Sequence, residues 1–260
     1  MRTTPAGFVA KTLAVAEMEV RKLRHDPTEL LTRAVQPALW LLMFGQVFSR
    51  THLIPSGTLS YMDFLMPGIL AQSVLFVAIF NGISIIWERD LGIVHKFLVS
   101  PTPRTALVLG KSVSAGVRAI AQAALIYLLA FALGVHINWS PVALLGVLLF
   151  VLLGASLFST FSLIIACLVK TRERFMGIGQ VITMPLFFGS NAIYPTEIMP
   201  DWLKTIAHIN PLTYEVDGLR ALTVVGSHSV LGLSVDYAVL AAVLLVLIFI
   251  AGWIYPRIIS

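Results

Sequence analysis

The sequence has one cysteine, Cys167, and few charges: Asp, Glu, Lys and Arg make up 12% of its 260 residues. A lone thiol excludes an internal disulfide framework and any site built on several cysteines. Hydrophobic residues reach 58% and the mean hydropathy is +0.89, which excludes a water-soluble globular domain, where about a quarter of residues are charged. Apolar surface in that excess must face something other than water. Acidic residues are scarcer than basic ones, 13 against 18, for a net charge of +5 and a pI near 9.6. Such a balance points either to nucleic acid or to an uneven spread of Lys and Arg across a bilayer, and their positions decide between the two.

A bilayer core about 30 Å thick needs roughly 20 mainly apolar residues per helix. Six stretches meet or approach that demand: Leu31 to Phe48, Phe64 to Trp87, Val108 to Gly134, Val142 to Val169, Phe175 to Tyr194 and Tyr237 to Tyr255. The fold class expected is an all-α integral membrane protein, one transmembrane domain over residues 1–260 with six transmembrane helices. Arg33 and Gln36 near the start of the first stretch are tolerable there, since a long side chain can snorkel to the headgroups. Fifteen of the eighteen Lys and Arg fall before the first stretch, around the second linker, in the fourth linker or at the C-terminus. Only Arg50, Lys204 and Arg220 fall on the other side. The positive-inside rule therefore predicts that both termini are cytoplasmic, and it accounts for the basic pI without nucleic acid. The first thirty residues carry charges throughout, so no cleavable signal peptide is expected and targeting falls to the first span.

Three pieces lie outside the spans. In residues 1–30, Val9, Leu13, Ala16, Val20 and Leu23 recur at helical spacing, which predicts an amphipathic helix lying in the cytoplasmic headgroup plane. Residues 88–107 begin with a charge cluster directly after Trp87 and end at Pro101 and Pro103. This linker reads either as a solvated loop or as a short helix docking in a groove of a cytoplasmic partner. The outer piece, 195–236, is unexpectedly apolar and contains Asn210-Pro211, an N-cap followed by proline at the first helical position. It reads as a re-entrant helical hairpin packed against the bundle.

Several chemistries are missing. Asp and Glu lie at or beyond span edges, so no ion or proton pathway through a buried carboxylate is expected. Gly110-Lys111-Ser112 ends like a P-loop, but Thr105 stands where its first glycine is required. Gly154-Ala155-Ser156-Leu157 is similar to the nucleophile motif of rhomboid-type intramembrane proteases, yet residues 237–255 supply no histidine base, so Ser156 reads as a packing residue. No histidines stand at metal-ligand spacing. Asn138-Trp139-Ser140 matches a glycosylation sequon, but Pro141 follows it and the match reads as chance. Ala115, Ala119 and Ala123 form a small-residue stripe that permits close helix approach.

Certain blocks carry a family likeness: Met66-Pro67-Gly68 with Ala71-Gln72-Ser73, Glu88-Arg89-Asp90-Leu91-Gly92, and Leu98-Val99-Ser100-Pro101 with Pro103-Arg104. Further along come Ser190, Tyr194-Pro195, Met199-Pro200-Asp201-Trp202-Leu203 and the run Asn210-Pro211-Leu212-Thr213-Tyr214-Glu215-Val216-Asp217-Gly218-Leu219-Arg220. Together with the layout they resemble the permease subunit of type-2 ATP-binding-cassette exporters, nearest the daunorubicin-resistance branch, over nearly the whole chain.

The resemblance implies half of an exporter's membrane domain in a cell membrane of bacterial or archaeal type. Its partners would be a second permease copy or paralogue, two cytoplasmic ATPase subunits and membrane lipid. The chain itself would be no enzyme and hold no cofactor, with ATP and Mg bound in the partner ATPase. Glu88, Arg89, Asp90, Gly92, Lys96 and Arg104 would couple to the ATPase. Phe76, Phe80, Asn81, Phe187, Phe188 and Asn191 would line a cavity for bulky amphipathic, drug-like or lipid-like cargo. Pro200, Trp202, Asn210, Pro211, Tyr214 and Arg220 would shape the outer hairpin. The competing reading is a membrane scaffold that recruits a cytoplasmic partner and transports nothing.

Overall fold

In a computed structural model of the chain, residues 28–51, 59–91, 104–169 and 171–254 are described. The amphipathic stretch from Val9 to Leu23 lies outside them, as do Gly92 and Lys96. Helix α1 (Thr28–Leu39) runs through a π-helical turn (Trp40–Gly45) into α2 (Gln46–Thr51). Helices α3 (Tyr61–Phe80) and α4 (Gly82–Asp90) meet at Asn81, and the long α5 (Arg104–Ala132) and α6 (Pro141–Leu168) follow. After them come α7 (Arg172–Phe188), a 3-10 turn (Thr196–Ile198), α8 (Asp201–Ile209), α9 (Pro211–Thr223) and α10 (Leu233–Ile254).

Local chemistry sets many of these boundaries. Ser60 caps α3 by accepting from Asp63 N at 3.1 Å, and Thr171 caps α7 by accepting from Arg174 N. Asn210 ends α8 and caps α9 through Leu212 N, with Pro211 at the first helical position. The second stretch read from the sequence is interrupted at Asn81, whose side-chain amide donates to Ser159 Oγ while its carbonyl accepts from Ser84 Oγ.

Among the described residues, four helical stretches are long and apolar enough to cross a membrane: Tyr61–Ser84, Ser114–Ala132, Pro141–Leu168 and Leu233–Ile254. The first of the six expected stretches corresponds to a shorter apolar helix, Ala34–Ser49, and the fifth to the 17-residue α7. Arg172, Glu173 and Arg174 occupy the first turn of α7 and leave too little apolar length for a full crossing.

Apolar on every face, α3 suits burial on all sides, and 89% of its membrane window is buried against 17% for α10. Helix α3 is accordingly the centre, packed on α5, α6, α7, α9 and the π-helical turn, and α10 is a peripheral helix that shows Leu245, Phe249 and Trp253 outward. The stripe Ala115, Ala119 and Ala123 is buried, consistent with the close approach of α5 to its neighbours. A Cβ on Gly68 would lie 2.8 Å from the Cα and carbonyl carbon of Ala192, so only glycine lets α3 pass that backbone. Asp63, Asp217 and Asp236 are buried near helix ends or in the outer hairpin, but Glu215 departs further from the expected pattern: it is fully buried, with its carboxyl against Gly154 halfway along α6.

Candidate functional site: a charged knot, an amide-lined cavity and a tethered hairpin

At the end of α4 the charges form a knot. Asp90 accepts from Arg172 Nη2 at 3.0 Å and from Arg89 Nη2 at 3.4 Å, while Arg89 Nη1 donates to the Val169 carbonyl at 3.0 Å. The Arg172 guanidinium also covers the Trp87 ring at 3.6 Å. The knot joins the end of α4 to the turn between α6 and α7. Sequence reading singles out Arg89 and Asp90 but misses Arg172, which sits in another linker. Glu88 lies in the last turn of α4, and Arg104 opens α5, each as a helical backbone position.

Between α1, α3, α5 and α7 lies a cavity of about 380 Å³. Four amides line it, Gln36, Gln72, Gln122 and Gln180, together with Phe76 and Phe80, whose rings stack at 6.0 Å. Gln72 and Gln122 are each 1% exposed, yet Gln72 Oε1 and both polar atoms of the Gln122 amide lack hydrogen-bond partners. Buried polar atoms are seldom left unpaired, so these three fit a polar ligand. Among the described residues no charged side chain lines this cavity. Sequence reading misses Gln122, although a polar residue deep in an apolar span is a signal of a functional site.

The other expected cavity residues are distributed differently. Asn81 bonds to Ser159 of α6. Phe187 is buried edge-on to Trp40, and the half-exposed Phe188 leans on the same ring. Asn191 lies in the turn after α7, where its carbonyl accepts from Arg220 Nη2 at 2.8 Å.

The hairpin α8–α9 is tethered to the bundle. Asn210 Nδ2 donates to the Leu186 carbonyl at 2.6 Å, and the Tyr214 hydroxyl donates to the His208 carbonyl at 2.8 Å. Arg220 reaches α3 through Nε, which donates to the Phe64 carbonyl at 3.3 Å, and through its guanidinium 3.8 Å over the Phe64 ring. Burial draws this guanidinium down to about 10, still far above neutrality, so it stays a cation. Pro200 precedes α8 and Trp202 points outward from it. On the same side Asp63 accepts from His136 N at 3.0 Å and pairs with its Nδ1 at 3.1 Å, which pins the α5–α6 loop beside the end of α9.

The family model described as "ABC-2 type transporter" matches residues 10–224 of this chain. A putative transport permease, ycf38, of Cyanophora paradoxa is 28% identical over 217 residues, covering 83% of this chain and 74% of the relative. The daunorubicin resistance ABC transporter permease protein DrrB1 of Streptomyces coeruleorubidus is 24% identical over 221 residues, 85% of this chain and 77% of its own. A probable multidrug ABC transporter permease, YbhR of Escherichia coli K12, is 32% identical over 164 residues, 61% of this chain and 43% of the relative. With the family match running across all but the last span and the apolar helices supplying a membrane subunit, this chain belongs to the ABC-2 type transporter family.

Proposed function

We propose that the chain is the membrane-spanning half of an exporter that moves bulky, uncharged amphipathic molecules out of the cytoplasm. It works as a dimer with a second permease, driven by two ATPase subunits, with six membrane-inserted segments and both termini cytoplasmic. The observation that carries this reading is the cavity where Gln72 and Gln122 present unpartnered amide atoms beside the stacked Phe76 and Phe80. Amides offer both donors and acceptors without charge, and aromatic walls take a bulky apolar body, so carbonyl- and hydroxyl-bearing drug-like or lipid-like molecules fit.

Two walls of the cavity, α3 and α7, lead toward the knot. Closure of the ATPase dimer against α4 and the linker after it would move α4 as one piece with the α6–α7 turn, since Arg89 and Arg172 bind both. That displacement would alter the spacing of α3 and α7 and thereby the affinity of the cavity for cargo. A cargo biases the switch only by binding the two states unequally.

The test is cargo-stimulated ATP hydrolysis by the chain reconstituted with its ATPase. A panel of uncharged amphipathic drugs should stimulate hydrolysis. Gln72→Leu with Gln122→Leu should abolish the stimulation and leave the basal rate unchanged. A scaffold that transports nothing predicts no stimulation by any compound.

A further inference from the structure

A second cavity, of about 540 Å³, lies at the opposite end of the bundle from the knot and shares no lining residue with the amide-lined one. It opens between the start of α3, the turn after α7, the first turns of α9 and the loop into α10. Leu59, Phe64, Pro195, Val230 and Leu231 give it apolar walls.

Its two buried charged groups are committed. Asp217 accepts from the Ser229 hydroxyl at 2.7 Å and from Val230 N and Leu231 N, and Arg220 donates to two backbone carbonyls. Two buried acceptors are left over. Asn191 Oδ1 and Thr213 Oγ have no hydrogen-bond partner although their residues are only 6% and 2% exposed. They belong to different elements and line one cavity, so a single group with several donors could satisfy both. The charge facing the cavity narrows the choice. With the imidazoles of His208 and His228, which also line it, neutral, Glu197 and Asp217 outnumber the guanidinium of Arg220, which favours a cation.

We propose that this cavity is a binding site for an amphipathic primary amine, its ammonium donating to Asn191 Oδ1, Thr213 Oγ and Glu197, and its apolar body lying on Phe64 and Leu231. The site differs in chemistry from the uncharged amide cavity, and binding there does not depend on the transport reading. Only its assignment to the outer face rests on the orientation proposed above. A ligand in it would touch the turn after α7, α9 and the loop into α10 together, and so would favour whichever state holds those three in this arrangement.

The experiment uses the purified full-length chain in lipid nanodiscs and dansylcadaverine, a fluorescent primary amine. Two dansyl probes of the same length serve as comparisons, one with the amine acetylated and one ending in a carboxylate. The amine should bind about tenfold or more tightly than either. Asn191→Leu with Thr213→Val should remove that preference, and Gln72→Leu should leave it intact. Glu197 is exposed, so Glu197→Gln keeps the core unchanged and should weaken amine binding several-fold. Equal binding of all three probes, tighter binding of the carboxylate at Arg220, or a loss seen only in Gln72→Leu would each overturn the proposal. The last outcome would move the amine to the other cavity and leave the transport reading standing.

Discussion

Arg172 places its guanidinium 3.6 Å from the centre of the Trp87 ring while binding Asp90 at 3.0 Å, so one side chain from α7 closes over the end of α4. The pair is partly exposed, with side chains 35% and 42% accessible, and such ion pairs add little stability, about 0–1 kcal/mol. Its contribution is to position α4. Arg172→Ala should therefore leave thermal stability nearly unchanged, keep the ATPase bound, and cut transport per ATP hydrolysed. Arg172→Lys keeps the charge but loses the planar stack and the forked donor, and should fall between. Cargo flux and ATP hydrolysis measured on the same vesicles check this, and an Arg172→Ala variant with full flux would remove the knot from the mechanism.

Glu215 is the buried acid that sequence reading does not place at depth. Burial without a hydrogen-bond partner pushes its carboxyl well above the ordinary carboxylate range, so the folded chain holds this proton to higher pH than the unfolded chain does. The unfolded chain releases that proton near pH 4.3, roughly the free glutamate value. The native state then binds the extra proton, and stability falls as pH rises above that value until the folded group ionises. Glu215→Gln has no proton to release. Its melting temperature in detergent should match that of the wild type near pH 4 and exceed it by a margin that widens as pH rises from there. Parallel curves would mean that Glu215 is ionised and paired in the membrane.

Much of this was legible because its causes are local. The apolar lengths of α3, α6 and α10 stand out in any window of about 20 residues, and Asn210-Pro211 announces the break between α8 and α9 through its own capping chemistry. The knot was half legible. Arg89 and Asp90 are adjacent in sequence, whereas Arg172 meets them only once α6 has returned the chain to the same end. Glu215 eluded the reading for a related reason, since its helix is short and polar in composition and only tertiary packing sets it against Gly154. The cavity residues Phe187 and Asn191 share a helical segment with Gln180 in sequence, but α7 ends at Phe188 and the following turn swings Asn191 toward Arg220. Helical periodicity cannot be extended past such an end.

Gly68 lets α3 pass the backbone of Ala192, where a methyl group would lie 2.8 Å from two backbone atoms. A backbone cannot swing aside like a side-chain tip, so Gly68→Ala should destabilise by about 1–3 kcal/mol, as overpacking does. Gly177 supplies the comparison, because nothing lies within 4 Å of the methyl it would gain. Gly177→Ala should be neutral or slightly stabilising, since alanine favours a helix by about 1 kcal/mol over glycine. Detergent unfolding of both variants reads the difference directly.

Orientation follows from charge and can be read with one reagent. Fifteen of the eighteen Lys and Arg fall in the sequence segments read as cytoplasmic, those that supply the knot among them, so the knot's end should face the cytoplasm and the hairpin α8–α9 the outside. Cys167 is the only cysteine and is buried, so Cys167→Ser provides a background without thiols at small cost. Leu91, just past α4, and Ile209, at the end of α8, are 67% and 78% exposed and tolerate a probe. In intact cells a membrane-impermeant maleimide should label Ile209→Cys and spare Leu91→Cys, and permeabilisation should expose Leu91→Cys. Labelling of Leu91→Cys in sealed cells would put the knot on the outer face, where no ATPase can reach it, and the coupling mechanism would fail with it.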